Sequence, residues 1–253
     1  DAITVFLDAV EAIDHVVAQC EGKATAIKEV MDLWNMDAFG HARGSRTNSP
    51  DLPPTPTSVT PSRYKPPLIP VQPELMNGHC KMKPFQLFGL NWMTVLYNYG
   101  IGCILADEMG LGKTCQVISF FASLAQDYQD RGTGSPPWPN LVVVPPSTYS
   151  NWLGEFDKFA PELNVIGYRG SQAERAEVAY EVRHNPNDYH VVLATYSQIN
   201  SDADVEALDS LDLTAAVFDE GHKMKNPQAK IYKDLRKISA SWKMLLTGEL
   251  SPK

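Results

Sequence analysis

Residues 104–121 read ILADEMGLGKTCQVISFF, and along them an apolar run gives way to a glycine-containing turn and then to helical periodicity. The run at 104–106 is typical of a buried strand, and Lys113-Thr114 opens the predicted helix after the turn at 107–112. Backbone N–H groups of such a turn and of the helix N-terminus point to one place. This order of elements therefore predicts a loop that binds phosphate groups.

The loop departs from the strict pattern G-x-x-x-x-G-K-[ST] at one position, because Asp107 stands where a glycine is expected. Gly110 and Gly112 still allow backbone conformations closed to other residues and let the chain approach a phosphate closely. In the chemistry of this motif, Lys113 contacts the β- and γ-phosphates and the Thr114 hydroxyl coordinates Mg²⁺. The stretch predicts a site for a nucleotide and Mg²⁺.

From Leu75 onward, short apolar segments alternate with longer amphipathic segments, which predicts a doubly wound α/β fold with a mostly parallel sheet. The predicted strands are 101–106, 141–144, 165–168, 191–195, 215–219 and 243–247, and the predicted helices are 113–130, 147–159, 171–184 and 223–239. Such sheets bind ligands at the carboxyl ends of their strands. We therefore expect the functional residues just after the strands.

A second candidate motif, VFDEGH at 217–222, also follows an apolar strand. Asp219 is expected to hold Mg²⁺ through its water shell, and Glu220 to polarise the water that attacks the γ-phosphate. A solvated Asp-Glu turn is the alternative, but the position at a strand end favours the catalytic interpretation. His222 is expected either to relay between the nucleotide and the next strand or to form a hydrogen bond within its loop.

Composition limits the classes of function. The 253-residue chain has 43% hydrophobic residues, a net charge of −8 and a pI of about 5.2, so any contact with nucleic acid must come from a local surface. The four cysteines lack C-x-x-C spacing and are expected to be reduced thiols of a cytosolic or nuclear protein. No apolar run approaches the roughly 18 residues of a membrane span, so no membrane partner is expected.

The first 74 residues are expected to form an extension. Apolar residues recur at three- and four-residue steps within 1–38, which predicts a pair of helices, either a packing appendage or a regulatory docking element. Residues 39–74 contain nine prolines between Pro50 and Pro73, which predicts a linker. Phosphorylation or binding of a proline-reading module is the alternative role for this linker. Residues 75–253 then form the nucleotide-binding lobe.

Several further segments resemble the motifs of Swi/Snf-type ATPases of helicase superfamily two, in the family's order and at similar spacing. The loop 107–114 reproduces the family's first motif, so the aspartate at its start belongs to the family pattern. The other similar segments are KPFQLFGLNW at 83–92, LVVVP at 141–145 with Asn151-Trp152 and Glu155-Phe156, VLATY at 192–196, FDEGHKMKN at 218–226 and LLTG at 245–248. Residues 103–124 and 218–226 look most like the SMARCAD-type branch of single-subunit chromatin remodellers.

This resemblance implies the first RecA-like lobe of a monomeric, nuclear motor that hydrolyses ATP with Mg²⁺, moves on double-stranded DNA and remodels nucleosomes by acting on DNA and histones. Catalysis is assigned to Lys113, Asp219 and Glu220, and Mg²⁺ to Thr114 and Asp219. Gln86 is expected to read the adenine edge, because an amide both donates and accepts. The phosphate-binding residues are Asp107, Glu108, Met109, Gly110, Leu111, Gly112, Lys113 and Thr114.

Neutral side chains near the DNA backbone are implied as well, because hydroxyls and amides can hold phosphates without reading sequence. These are Ser147, Thr148, Asn151, Thr195 and Tyr196. Ser147 and Thr148 would equally suit the N-cap of the predicted helix 147–159. A basic run in an acidic protein is either a solvated helix face or a contact with nucleic acid or histone. It comprises Lys223, Lys225, Lys230, Lys233, Arg236 and Lys237.

Departures from the family pattern lower the activity expected of the isolated chain. The chain begins at Asp1 without methionine, and residues 249–253 differ from the family's continuation after Thr247-Gly248, which suggests a fragment. The family's second lobe, which supplies an arginine finger, is missing, so weak hydrolysis and no translocation are expected. Pro146 replaces the family's usual serine and stiffens the entry to the predicted DNA loop.

Two functional hypotheses follow. The chain is either the first lobe of a DNA-stimulated remodelling ATPase or an inactive module that binds a nucleotide or a partner without turnover. The intact Lys113, Asp219 and Glu220 favour the enzyme for the parent protein, whereas the missing lobe favours the inactive module for the isolated chain. A generic P-loop kinase or transporter ATPase does not account for the segments at 83–92 and 141–156.

Overall fold

The computed structural model describes residues 21–29, 68–221, 226 and 228–248. The chain divides into two compact units, Asp1–Pro70 and Val71–Lys253. In the first unit, residues 21–29 form helix α1. The rest of the predicted helix pair and most of the predicted linker lie outside the described residues. None of the helices in the described part of the chain is long and apolar enough to span a membrane.

The second unit is built on one six-stranded sheet in which every neighbouring pair of strands is parallel. Its strands are β1 (Cys103–Leu105), β2 (Asn140–Val144), β3 (Val165–Tyr168), β4 (Val191–Thr195), β5 (Leu213–Phe218) and β6 (Ala240–Leu246). They lie in the order β1-β6-β5-β2-β4-β3. The central strands β2 and β4 are buried at all five positions, as expected for a parallel sheet covered on both faces. The predicted α/β class is confirmed.

Helices connect the strands. They are α2 (Pro84–Asn98), α3 (Lys113–Arg131), α4 (Tyr149–Phe159), α5 (Gln172–His184), α6 (Asp202–Asp209) and α7 (Lys230–Lys237). The predicted helix 147–159 begins later, at Tyr149, because Pro146–Thr148 form a 3₁₀ turn. Helix α6 was not predicted, since its eight residues include four acidic ones and show little apolar periodicity. Its capping box, Ser201 with Asp204, was the available signal.

Three aromatic rings hold α2 and α3 against the β6 side of the sheet. The ring centroids of Tyr97, Phe120 and Trp242 lie 5.1–5.8 Å apart, at angles from tilted to edge-on. The Trp242 indole also donates a hydrogen bond to the Ile101 carbonyl at 2.6 Å. Buried aromatic pairs each contribute about 0.5–1.5 kcal/mol beyond their buried area. Because α2 carries Gln86, this cluster helps to determine where the predicted adenine contact lies.

A buried ion pair joins α5 to α6 at the other side of the sheet. Arg175 and Asp204 are 6% and 2% exposed, and two guanidinium nitrogens donate to the carboxylate at 2.7 and 3.0 Å. The hydroxyls of Tyr168 and Ser201 donate to the same carboxylate at 2.9 and 2.6 Å. Burial raises the pKa of Asp204, but these hydrogen bonds outweigh burial and hold the pKa at about 2.

Replacing Asp204 by Asn should lower the free energy of unfolding by about 3–5 kcal/mol at pH 7, because Arg175 would remain buried without a counter-charge. The folded pKa lies below the ordinary value of 3.8. The contribution of the carboxylate is therefore complete above about pH 4 and is lost as the pH falls towards 2. Urea unfolding at pH 7 measures the loss, and the difference between the two proteins should shrink below pH 4.

Asp127→Asn is the matched control, since it breaks the ion pair between Asp127 and Arg131. The side chain of Asp127 is 54% exposed and that of Arg131 is 66% exposed. An exposed pair of this kind contributes about 0–1 kcal/mol. Equal losses in the two variants would contradict the structural role of the buried pair.

Candidate active site

The parallel register brings two predicted functional loops to the carboxyl edge of the sheet. Strand β1 ends opposite β6, with Leu105 paired to Leu246, and the Thr247 N–H donates to the Leu105 carbonyl at 3.1 Å. Strand β5 ends one residue before Asp219, whose N–H donates to the Val143 carbonyl of β2 at 2.8 Å. The loop after β1 and the carboxylate turn after β5 therefore open on the same edge, on either side of β6.

The loop after β1 has the backbone of a phosphate cradle. Gly110 and Gly112 have φ values of +85° and +82°, which side chains rarely permit, and Gly112 is the N-cap of α3. The Lys113 ammonium lies over the loop and donates to the carbonyls of Asp107 and Glu108 at 2.6 and 3.1 Å. Glycine turn, lysine and helix N-terminus thus form the arrangement that suits phosphate groups.

The other predicted phosphate-binding residues surround this cradle. Glu108, Met109 and Leu111 are exposed, the last two by 73% and 40%. Thr114 is half-buried in the first turn of α3, next to Lys113. Thr114 therefore lies in the first turn of the helix whose N-terminus faces the loop. The motif places the hydroxyl that coordinates Mg²⁺ at this position.

Asp107, the residue in place of the usual glycine, has a structural partner that was not predicted. Its carboxylate accepts a hydrogen bond from the Gln116 amide at 2.9 Å, and Gln116 is only 1% exposed. The Gln116 oxygen lies so close to Gly89 of α2 that a side chain at position 89 would overlap it. Asp107 is thus hydrogen-bonded to helix α3, and α3 approaches α2 closely at Gly89.

Gln86 lies over the glycine turn, and its amide bonds to backbone on both sides. The nitrogen donates to the Leu111 carbonyl at 3.1 Å, and the oxygen accepts from the Lys83 N–H at 2.8 Å. A side chain at Gly112 would overlap the Gln86 amide. The amide borders a cavity of about 260 Å³. The residues lining this cavity include Met76, Cys80, Lys83, Gln86, Cys115 and Phe159.

The carboxylate turn after β5 is half-buried and held by hydrogen bonds. One Asp219 oxygen accepts from the Trp152 indole and the other from the Glu220 N–H, each at 2.9 Å. Burial raises the pKa of Asp219, while these two hydrogen bonds and the charge of Lys113 act in the opposite direction. Glu220 has a φ of +53°, which is unusual for a residue with a side chain.

The predicted DNA contacts after β2 lie at the surface. Ser147 and Asn151 are exposed, and Thr148 is half-buried. The Thr148 hydroxyl donates to the Pro145 carbonyl at 3.1 Å, and α4 has no side-chain hydrogen bond at its N-cap. Thr148 therefore occupies the N-cap position of α4 without capping it through its side chain. The contact of Ser147, Thr148 and Asn151 with DNA stays a prediction.

The predicted DNA contacts after β4 are buried. Thr195 and Tyr196 are each 7% exposed, and the Thr195 hydroxyl lies 3.0 Å from that of Ser197. The Tyr196 hydroxyl donates to the backbone carbonyl of Asp219 at 2.5 Å. Burial raises the pKa of Tyr196, so its hydroxyl keeps the proton that it donates. Tyr196 thus contacts the carboxylate turn, which the sequence did not reveal.

The basic run is only partly described, since Lys223 and Lys225 lie outside the described residues, as does His222 before them. On α7, Lys230 lies 3.4 Å from Asp234, and Lys237 lies 3.4 Å from Asp202 and 3.7 Å from Asp234. Acidic neighbours therefore neutralise part of this helix face. Lys233 and Arg236 are also exposed on it.

An all-parallel α/β sheet with a phosphate loop after β1 and paired carboxylates after β5 defines a RecA-like lobe. Residues 85–249 match the model of the SNF2-related domain, and the chain belongs to this family. The predicted family is confirmed, and with it the assignment to a helicase-like class of ATPases.

Curated relatives support the finer branch. The ATP-dependent helicase fft2 of Schizosaccharomyces pombe is 37% identical over 94% of this chain and 18% of that protein. The ATP-dependent helicase FUN30 of Saccharomyces cerevisiae is 44% identical over 70% of this chain and 15% of that protein. The human SWI/SNF-related matrix-associated actin-dependent regulator of chromatin subfamily A containing DEAD/H box 1 is 43% identical over 70% and 17%. The chain thus spans less than a fifth of each.

A solved structure gives the same answer. The Sulfolobus solfataricus SWI2/SNF2 ATPase core in complex with dsDNA superposes with a TM-score of 0.58 at 31% identity. The match covers 70% of this chain and 34% of that one. Fold, motifs and comparisons therefore agree on a SWI2/SNF2-type lobe.

The contact between Gly89 and Gln116 leads to a stability prediction. Gly89→Ala should lower the free energy of unfolding by about 1–3 kcal/mol, because the new methyl group would displace the buried amide that holds Asp107. Chemical denaturation measures the loss. In a Gln116→Ala background the same substitution should cost less, since the overlapping oxygen is gone.

Gly154→Ala in α4 is the matched control, because no atom lies within 4 Å of a side chain built there. This substitution should stabilise the protein by up to about 1 kcal/mol through helix propensity. A Gly89→Ala protein as stable as the control would contradict the close approach of α2 and α3.

Proposed function

We propose that the chain is the first lobe of an ATP-driven motor that moves on double-stranded DNA and remodels nucleosomes. The observation that carries this proposal is the meeting of the phosphate loop and the Asp219-Glu220 turn at one edge of the sheet, on either side of β6. The relatives named as ATP-dependent helicases and as a chromatin regulator, and the solved core with bound dsDNA, support this direction.

The site fits ATP and Mg²⁺ residue by residue. The glycine turn at 110–112 and the N-terminus of α3 would hold phosphates, and Lys113 would neutralise their charge. Thr114 and Asp219 would hold Mg²⁺, which supplies charge neutralisation during phosphoryl transfer. Glu220 would orient and polarise the attacking water. Gln86, at the rim of the 260 Å³ cavity, would read the adenine edge.

DNA would lie across the surface next to this edge. Exposed Ser147 and Asn151 are suited to hold phosphates without reading bases, so the motor would act on any sequence. Residues 75–253 would form the ATP-binding lobe, 39–74 the linker and 1–38 a regulatory or docking helix pair. A protein that acts on nucleosomal DNA and histones would work in the nucleus. We expect it to act as a monomeric motor.

A second candidate function applies to the isolated chain. The match to the solved SWI2/SNF2 core covers 34% of that chain, and catalytic groups elsewhere in such a core would have to come from outside the matched part. An arginine finger, where present, contributes about 10³–10⁵-fold in rate. The isolated chain would then bind nucleotide with weak or no turnover.

DNA stimulation of hydrolysis tests the motor. ATP hydrolysis should be weak for this chain and should rise on addition of duplex DNA for a version extended to a complete two-lobed core. The measurement is the steady-state rate of phosphate release with and without duplex DNA. An extended protein indifferent to DNA would contradict the motor and favour the inactive module.

The role of Glu220 is tested separately. Glu220→Gln in the extended protein should keep ATP affinity within about threefold while it lowers kcat by about 10²-fold or more, because the amide cannot accept a proton from water. Titration with a fluorescent nucleotide and steady-state kinetics measure the two quantities. Loss of nucleotide binding together with turnover would contradict the assigned role.

A further inference from the structure

Two buried side chains converge on Asp219 from segments that are predicted to face DNA. Trp152 lies on α4, directly after the exposed Asn151, and Tyr196 directly follows Thr195 at the end of β4. The Trp152 indole donates to the Asp219 carboxylate at 2.9 Å, and the Tyr196 hydroxyl donates to the Asp219 carbonyl at 2.5 Å. Each predicted DNA segment is therefore one hydrogen bond away from the carboxylate turn.

Trp152 fixes the orientation of the carboxylate. Its side chain is 1% exposed and packs against Phe156 with a centroid distance of 6.1 Å, so the indole cannot swing away. An indole N–H only donates, and here it donates to one oxygen while the Glu220 N–H donates to the other. Among the described residues each oxygen of Asp219 accepts one hydrogen bond, which leaves lone pairs that could bond to the water shell of a metal ion.

Tyr196 acts on the next peptide bond instead. The carbonyl that accepts its hydroxyl belongs to the peptide between Asp219 and Glu220, and Glu220 follows with its φ of +53°. A left-handed conformation in a residue with a side chain persists only where surrounding contacts hold it. The Tyr196 hydroxyl supplies such a contact and thereby sets the direction in which the Glu220 side chain leaves the turn.

The two segments are also joined to each other. The Tyr196 N–H donates to the Val144 carbonyl at 3.1 Å, so the end of β4 is tied to the end of β2. Strand β2 continues through the 3₁₀ turn at Pro146–Thr148 into α4, which carries Trp152. A shift of either segment is therefore transmitted to the same turn.

We propose that Trp152 and Tyr196 are positioning residues that couple DNA contact to ATP hydrolysis. Trp152 orients the Asp219 carboxylate that would hold Mg²⁺, and Tyr196 orients the peptide that precedes Glu220. The inference rests on the proposed motor function and adds the route by which DNA acts on the hydrolytic carboxylates.

Trp152→Phe and Tyr196→Phe in the complete two-lobed protein test the coupling. Trp152→Phe should raise the Mg²⁺ concentration for half-maximal hydrolysis by about tenfold, since partners of metal ligands typically contribute 10–100-fold. Nucleotide affinity measured without Mg²⁺ should stay the same. Tyr196→Phe removes one oxygen atom and should lower DNA-stimulated kcat about tenfold, with DNA affinity and the KM for ATP changed less than about twofold.

The chain offers a matched control for each variant. Trp138→Phe truncates another buried indole, which packs against Tyr128 and His190 just before β2, and Tyr168→Phe removes another buried hydroxyl, which bonds to Asp204. Both controls should lower the melting temperature yet leave the Mg²⁺ requirement and the DNA stimulation unchanged. Control variants with the same kinetic defects would overturn the proposal, because loss of stability alone would then explain them.

The remaining outcomes separate this proposal from the motor itself. Normal Mg²⁺ dependence in Trp152→Phe together with normal stimulation in Tyr196→Phe overturns the coupling and leaves the motor intact. Weaker DNA binding with a normal kcat at saturating DNA makes Tyr196 a DNA contact and overturns its positioning role. An unsubstituted protein that DNA does not stimulate overturns both proposals.

Discussion

The parallel pairing of β1, β6 and β5 is the constraint on which the rest of this lobe depends. Parallel strands end at the same edge, so each crossover must return over a face of the sheet and leave its functional loop on that edge. Here the loops that carry Lys113 and Asp219 follow β1 and β5, which flank β6, so both open beside the end of one strand. A change of strand order would separate them, whatever the residues were.

Local sequence patterns predicted the strands, the phosphate loop and the carboxylate turn, because each depends on residues that are neighbours in the chain. Long-range contacts were beyond such patterns. Nothing adjacent to Trp152 or Tyr196 indicates that both bond to Asp219, since 67 and 23 residues separate the partners. The buried charge of Arg175 was missed for the same reason, because arginine on an amphipathic helix ordinarily faces solvent.

Burial also bears on the role expected of the residues after β4. Thr195 and Tyr196 resemble DNA contacts in sequence, yet the described surface next to β4 leaves them 7% exposed. A hydroxyl below the surface can still serve nucleic-acid binding, by shaping the loop above it or by passing a displacement inward. Whether a side chain can contact DNA directly depends on its exposure, which the structure shows and the sequence does not.

The hydrogen bond between Asp107 and Gln116 has a consequence for ligand association. It joins Asp107, the first residue of the loop, to Gln116 in the first turn of α3. The hydrogen bond so closes a ring of ten residues, 107–116. A ring of this kind samples fewer conformations than an open glycine loop. Less conformational entropy would then be lost on binding of phosphate to the N–H groups of the loop, so Asp107 would preorganise the proposed site more than a glycine at this position.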